Sequence, residues 1–208
     1  MKTLYKILPV LALVFAFASC EENDATSDYG FPKVYIPQAT VTGLDNSYPI
    51  PLGPLDQYTA YACKFDNASG ILDIEVGVIR SGYLAQQKGY SVDLGVSSTL
   101  TADKLAAYTE AGTPAAELPA AVVTVPSKIT VPAGQSGEAV YVSVDLKALA
   151  LQKASLWVTD KYKLLVLGLE ISNPTEYELA DNNTSVVIVL DLNSEYWGAE
   201  VRTLFPMN

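Results

Sequence analysis

Histidine is absent from this chain of 208 residues. Its absence removes the commonest general base, the commonest metal ligand and the side chain that titrates near neutral pH. A serine–histidine catalytic triad is therefore excluded. Cysteine is scarce, because Cys20 and Cys63 are the only two. Basic residues are also few, 13 against 23 acidic ones, and the net charge of −10 has the wrong sign for a nucleic-acid-binding protein.

The first 19 residues are typical of a secretory signal. Lys2 and Lys6 form a charged start, and Ile7–Ala18 is an apolar run that is too short for a transmembrane helix, which needs about 20 residues. Small residues precede Cys20 and acidic residues follow it, a pattern that resembles the lipobox and export signal of lipoproteins on the outer membrane of Bacteroidetes-type bacteria. We therefore expect lipidation at Cys20 and anchoring in the outer membrane at the cell surface. An ordinary signal peptide with a fortuitous cysteine is the alternative.

The remainder of the chain divides into three parts. We expect an acidic tether at 20–31, one domain at 32–193, and a C-terminal tail at 194–208 that either packs or hangs free. Loss of Lys2 and Lys6 with the signal takes the net charge from −10 to −12. A domain of that charge is expected to avoid anionic polymers, so neutral or basic ligands are favoured.

Short alternating runs dominate the domain. Apolar residues recur at every second position in Ile71–Arg80, Tyr90–Val96 and Val140–Leu146, which predicts half-buried strands. Tyr162–Ile171 and Ser185–Leu192 are more continuously apolar, as expected for strands covered on both faces. About eight strands separated by turns predict an all-β fold, an immunoglobulin-like antiparallel β-sandwich.

One segment has a helical pattern instead. Thr101–Thr109 predicts one short helix crossing between the sheets, with Thr101 as its N-cap and Asp103 near the positive end of the helix dipole. Lys147–Leu151 predicts a further helical turn.

Few residues could support chemistry. Cys63, in the run Tyr58–Phe65, is interpreted as a small buried hydrophobe rather than a nucleophile. Asp73 and Glu75 lie on one face of a strand, about 6.6 Å apart at ~3.3 Å per residue, which overlaps the spacing of inverting glycosidases, although solvated outward residues explain them as well. The segment Asp181–Thr184 carries residue types that bind Ca²⁺ but lacks the spacing of a loop site, which favours a turn.

Aromatic residues are the best remaining indication of a binding site. The chain has 13 tyrosines, together with Trp157 and Trp197. Tyr196 and Trp197 follow the last predicted strand in a turn-like context. The pair is either a ligand platform on the surface, since flat rings stack on sugars, or a plug over an open end of the sandwich.

Several short stretches resemble a known domain family: Val34–Ala39, Asp103–Thr109 with Glu117–Pro119, Ile129–Gly134, and Tyr162–Ser172. They are similar to the N-terminal β-sandwich domain of uncharacterised Bacteroidetes surface lipoproteins, which also precedes catalytic domains in some family-18 glycoside hydrolases. The resemblance implies the sandwich fold and a place near glycan capture. It implies no catalytic residues, and because the chain stops at Asn208 we expect the hydrolase domain to be absent.

These patterns favour a non-catalytic, lipid-anchored cell-surface protein that binds a glycan or a partner protein, without cofactor, metal or nucleic acid. Tyr196 and Trp197 are the candidate ligand-binding residues, and the membrane is reached through Cys20. One alternative is a structural or adhesive subunit that docks through a sheet edge. A second is a cryptic carboxylate glycoside hydrolase that uses Asp73 and Glu75.

Overall fold

A computed structural model describes residues 30–43, 45–53 and 62–207 of the chain. The predicted signal, Cys20 and all but the last two residues of the tether lie outside the described residues. Among those described, no helix is long and apolar enough to cross a membrane.

Two six-stranded sheets form the domain. The strands of the first sheet are β1 (Lys33–Tyr35), β3 (Cys63–Asp66), β4 (Ile71–Arg80), β7 (Val123–Thr124), β9 (Gly137–Asp145) and β13 (Glu178–Leu179). Those of the second are β2 (Ser47–Ile50), β5 (Tyr90–Val96), β6 (Ala115–Glu117), β8 (Lys128–Val131), β12 (Leu164–Ser172) and β14 (Ser185–Leu190). The strand order is β13-β1-β4-β9-β7 in one sheet, with β3 also on β4, and β2-β14-β12-β5-β8 in the other, with β6 also on β12.

The remaining elements are short, apart from one helix. They are the hairpin of β10 (Trp157–Val158) and β11 (Lys161–Tyr162), the helices α1 (Ser98–Glu110), α2 (Leu146–Ala150), α3 (Lys153–Leu156) and α4 (Ala199–Leu204), and 3-10 turns at Pro37–Thr40 and Ala120–Val122. The predicted helical turn at 147–151 is therefore present as α2.

Alternation along β4 builds the core. Leu72, Ile74 and Val76 are fully buried between the sheets, while Asp73 and Glu75 point outward. The antiparallel β9 pairs with β4 in a register that runs from Ile71↔Asp145 to Ile79↔Gly137. At its Arg80 end, β4 also pairs with β1, the first strand. The predicted strands at 71–80 and 90–96 have these bounds in the structure, and the predicted immunoglobulin-like sandwich is confirmed.

Three strand pairs are parallel, although the sequence pattern predicts an antiparallel sandwich. They are β1 with β13, β12 with β6, and β14 with β2. Each involves a strand of four residues or fewer at a sheet margin. Apolar alternation reports which face of a strand is buried and carries no information on the direction of its neighbour.

The second sheet is apolar on both faces at β12 and β14, as the continuous runs predict. Leu165, Leu169 and Ile188 face the first sheet and are fully buried. On the opposite face, Val166, Val187 and Val189 are buried beneath α1, which contributes Leu100, Leu105 and Tyr108.

The position of α1 corrects two predictions. The helix connects β5 with β6, two strands of the same sheet, and lies across the outer face of that sheet rather than passing between sheets. Its N-cap is Ser97, not Thr101. Thr101 lies inside the helix, where its hydroxyl donates to the Ser97 carbonyl (3.0 Å) and accepts from the Gly168 amide (2.8 Å). The helix thus starts about one turn before the predicted Thr101. Thr101 is an interior residue of the helix, and its hydroxyl bonds the strand beneath it.

A second contact holds the helix from the loop before β2. The Lys104 ammonium lies 2.6 Å from the Asp45 carboxylate, which also accepts from Thr42 and Ser47. These bonds hold the pKa of Asp45 well below its usual range, and the bond from Lys104 has the largest effect.

The C-terminal segment packs, which settles the open question of whether it hangs free. Trp197, Val201 and Phe205 join the hydrophobic core, and α4 lies beside α2. The Tyr162 ring meets the Phe205 ring edge-on at 5.6 Å. Arg202 donates to the carbonyls of Trp197 and Glu195. This segment closes one end of the sandwich.

Gly168 permits the close approach of α1. A Cβ atom there would lie 2.7 Å from the Leu100 Cβ and 2.8 Å from the Ser97 carbonyl oxygen. We expect Gly168→Ala to lower the free energy of unfolding by about 1–3 kcal/mol, since the helix must move off the strand. Urea unfolding measures the change. Gly95→Ala on β5 is the matched control, because a Cβ there meets nothing within 4 Å; equal stability of the two variants would contradict the assignment.

Candidate functional site

The structure separates the two predicted ligand-binding residues. Trp197 is 4% exposed, and its indole N–H donates to the Asp191 carbonyl at 2.7 Å. Tyr196 is 39% exposed and points away from the core. The two rings do not form a shared flat platform, and the burial of Trp197 favours the plug interpretation for that residue. Whether either residue binds a ligand stays a prediction.

Trp197 nevertheless borders a cleft. The cleft lies between β3 with the turn after it and the start of α4, and it holds about 400 Å³. We call it the α4 cleft. Its lining consists of Cys63, Lys64, Phe65, Asn67, Trp197, Gly198, Glu200 and Val201.

The turn that carries Asn67 is fixed by local hydrogen bonds. The Asp66 carboxylate accepts from the Ser69 hydroxyl at 2.6 Å and from the Ala68 amide at 3.1 Å. Lys147 on α2 donates to the carbonyls of Asn67 (3.1 Å) and Ala68 (2.8 Å). These bonds hold this wall of the cleft against α2.

The cleft combines an apolar floor with polar side chains that are not engaged by the protein. Phe65 is half-buried and supplies ring surface, while Trp197 borders the floor and is 4% exposed. Lys64, Asn67 and Glu200 are exposed at the rim. Within the described part of the chain, no hydrogen bond or ion pair involves the side chain of any of these three. The rim thus offers a group that only donates, one that only accepts and an amide that does both.

Cys63 lies at the inner side of the cleft and is buried, as predicted. It is 5% exposed, and burial raises the pKa of its thiol to about 12. A thiol with that pKa is protonated at neutral pH and is a poor nucleophile. The described part of the strand that contains it runs from Cys63 to Asp66, and residues 58–61 of the predicted run lie outside the described residues.

Two more concavities follow α4 beyond the cleft. The middle concavity, of about 300 Å³, is lined by Asn67, Ala199, Glu200, Thr203 and Leu204. It shares Asn67 and Glu200 with the α4 cleft. The aromatic pocket, of about 350 Å³, is lined by Lys153, Ala154, Trp157, Tyr162 and Pro206.

The aromatic pocket has rings at right angles. The Trp157 ring meets the Tyr162 ring edge-on at 4.7 Å, and Trp157 is half-buried, so part of its surface stays open. The Tyr162 hydroxyl donates to the Pro206 carbonyl at 3.2 Å, and the Lys153 ammonium donates to the Leu204 carbonyl at 3.5 Å. The pocket therefore borders the end of α4.

The predicted carboxylate pair does not share a cleft. Asp73 accepts a hydrogen bond of 2.5 Å from the Ser143 hydroxyl. Glu75 borders a different concavity, of about 310 Å³, together with Gln38 and Tyr48, and Asp73 does not line it. Burial raises the pKa of Glu75. Both side chains lie on the outward face of β4, an arrangement in which no sugar ring passes between them.

The Asp181–Thr184 segment is a turn before β14. Asn183 has a φ of +63°, and its carbonyl accepts from the Ile36 amide at 2.8 Å. Across residues 30–43, 45–53 and 62–207, no group of three or more cysteines, aspartates or glutamates is placed to hold a metal ion.

Sequence reasoning missed most of the cleft. Lys64 and Asn67 come from the β3–β4 hairpin, and Glu200 comes from a helix near the other end of the chain. No motif connects them, since the fold alone brings them together. Trp157 is visible in the sequence as one of two tryptophans, but nothing in the pattern indicates that it is half-exposed.

No family model matches this sequence, and no curated protein matches it. Solved structures share the fold. A Bacteroides ovatus protein of unknown function has a TM-score of 0.50 at 16% identity, over 76% of this chain and 46% of that one. A B. ovatus protein described as a candidate carbohydrate-binding protein has a TM-score of 0.45 at 11% identity, over 77% of this chain and 37% of that one.

The apo form of the Calx CBD1 domain is similar at a TM-score of 0.39 and 14% identity, over 78% of this chain and 99% of that one. At these identities the likenesses concern the fold alone. The chain spans less than half the length of the two Bacteroides structures.

Burial of Trp197 predicts a structural cost when it is truncated. We expect Trp197→Ala to lower the free energy of unfolding by about 3–5 kcal/mol, since a large core side chain and the bond to Asp191 are both lost. Tyr196→Ala, at the exposed neighbour, is expected to change it by less than about 0.5 kcal/mol. Thermal and urea unfolding of both variants measure the difference. A stable Trp197→Ala protein would show that the ring is not part of the core.

Proposed function

We propose that this protein is a non-catalytic, lipid-anchored cell-surface module that binds a neutral glycan in the α4 cleft. The observation that carries the proposal is the combination in that cleft of the half-buried Phe65 ring with three polar side chains that no other described residue engages, Lys64, Asn67 and Glu200.

A sugar ring fits this combination of groups. Each hydroxyl both donates and accepts, so neighbouring hydroxyls satisfy the lysine, which only donates, and the glutamate, which only accepts. The apolar C–H face of the ring packs on aromatic carbon. A volume of about 400 Å³ is within the range of small-ligand sites.

Cys20 supports the anchored location. It follows an apolar run and small residues, and a lipid at that cysteine holds a protein at a membrane without a spanning helix. Fully extended at ~3.3 Å per residue, residues 20–31 reach about 40 Å. That length is enough to set the domain clear of a bilayer.

A second candidate function rests on the edge of the first sheet. Among the described residues, β3 pairs only with β4, so its other edge is open beside the α4 cleft. An extended segment of a partner protein could add there by main-chain hydrogen bonds, which is the docking role of an assembly subunit. Hydrogen exchange distinguishes the two, since a docked strand protects the amides of 63–66 and a glycan bound through side chains does not.

Substitutions at the rim test glycan binding. We expect Lys64→Ala, Asn67→Ala and Glu200→Ala each to weaken binding about two- to tenfold, because each removes one hydrogen bond to a hydroxyl. A glycan array identifies a neutral oligosaccharide, and calorimetry measures its affinity. Glu110→Ala is the matched control, since Glu110 is an exposed glutamate on α1, which covers the second sheet, whereas the cleft lies beside β3 of the first sheet. Unchanged affinity in all three rim variants would refute the assignment of the site.

A separate prediction tests the anchor. We expect Cys20→Ser to abolish incorporation of labelled fatty acid and to move the protein from the membrane fraction to the soluble fraction. Cys63→Ser is the control. Because the Cys63 thiol is buried, this substitution is expected to leave labelling intact. Equal labelling of the Cys20→Ser protein and the unmodified one would exclude the anchor.

A further inference from the structure

Three concavities follow one another along α4. The α4 cleft borders residues 197–201, the middle concavity borders 199–204, and the aromatic pocket borders Pro206. The first two share Asn67 and Glu200. The third adjoins them where Lys153 donates to the carbonyl of Leu204, a residue of the middle concavity. Together they form a track along the helix, which suits an extended ligand better than a single ring.

The far end of this track differs in charge from the rest of the chain. Residues 151–163, of which Lys153, Ala154, Trp157 and Tyr162 line the aromatic pocket, contain three lysines and one aspartate, a charge of +2 in a chain of −10. The lysines are Lys153, Lys161 and Lys163. None of them forms an ion pair with a carboxylate among the described residues.

Four of the other six described lysines are paired with acids; the exceptions are Lys64 at the rim of the α4 cleft and Lys147, which donates to the carbonyls of Asn67 and Ala68. Lys33, Lys88, Lys104 and Lys128 each lie within 2.8 Å of a carboxylate oxygen. Lys163 donates only to the Ser155 carbonyl, and Lys153 only to that of Leu204. A bond to a carbonyl leaves the positive charge of an ammonium uncompensated, so this wall attracts an anion.

We infer that the aromatic pocket binds an anionic sugar ring, with Trp157 against the face of the ring and Lys153 on its acidic group. This inference rests on the proposed glycan-binding function and extends it, since a ligand lying along α4 would place a neutral residue in the α4 cleft and an acidic one in this pocket. The ligand class is therefore an acidic heteropolysaccharide that is recognised along its length.

The net negative charge of the whole chain disfavours an anionic ligand, but it acts over a longer distance than a contact between charges. A net charge of −10 repels polyanions at a distance, whereas a charge within a few ångströms of the ligand acts at contact. The protein is thus expected to accept an anionic residue at one position while excluding polymers that are acidic throughout. A uniformly anionic chain would place a second acid beside Glu200.

Three oligosaccharides of equal length test the inference: one neutral, one in which a single residue carries a carboxylate, and one in which that residue carries a sulfate. Calorimetry with the full chain is expected to give about fivefold tighter binding of the two anionic ligands at low salt. The advantage is expected to shrink at high salt, because screening weakens an exposed ion pair. A gain for both acids assigns the pocket to anionic sugars in general, and a gain for one assigns it to that acid.

Variants locate the effect. Lys153→Gln is expected to reduce the affinity for the anionic ligands to that for the neutral ligand, whereas Lys128→Gln on β8, the matched control, is expected to keep the difference. Equal affinity for neutral and anionic ligands, or a preference retained in Lys153→Gln, would overturn the inference and leave the proposed function standing. Absence of binding to all three ligands, by contrast, would remove the proposed function itself. Circular dichroism confirms that each variant is folded.

Discussion

A two-sheet fold leaves apolar residues exposed at its ends, and closure of one end positions the concavities of the proposed track. Trp197, Val201 and Phe205 enter the core there, and the indole N–H meets the Asp191 carbonyl, so the aromatic ring is buried without an unsatisfied donor. The helix α4 is held in place by these contacts. Every concavity of the proposed track has one wall in this segment or in residues that contact it.

Strand positions were predictable where one physical rule acted alone. Burial of one face imposes a period of two, and the bounds of β4 and β5 follow from it. The start of α1 was not predictable in the same way, because Thr101 has the chemistry of an N-cap but bonds the Gly168 amide across the sheet face. Val96 was expected to be buried with its strand and is 52% exposed, since β5 ends there. A tertiary contact overrides the local preference at Thr101, and the end of the strand overrides the alternation at Val96.

The candidate site was less predictable than the fold for a related reason. Lys64 and Glu200 carry no periodicity and no motif, and only the packing of α4 beside the hairpin turn brings them to one cleft. Trp197 was identified from its turn-like context, and its neighbour Tyr196 with it, but adjacent residues in a turn point in different directions. Composition gives the total charge and could not show that the lysines of 151–163 form no ion pair among the described residues.

The direction of β4 has a consequence for how the domain would sit on a cell. Its first residue, Ile71, follows the hairpin turn that borders the α4 cleft, and its last, Arg80, pairs with β1, where the tether enters. Ten residues of strand measure about 33 Å. Under the proposed attachment through Cys20, the anchor and the proposed track would lie at opposite ends of β4. A long polysaccharide would then contact the end of the domain that faces away from the bilayer, without steric hindrance from the membrane.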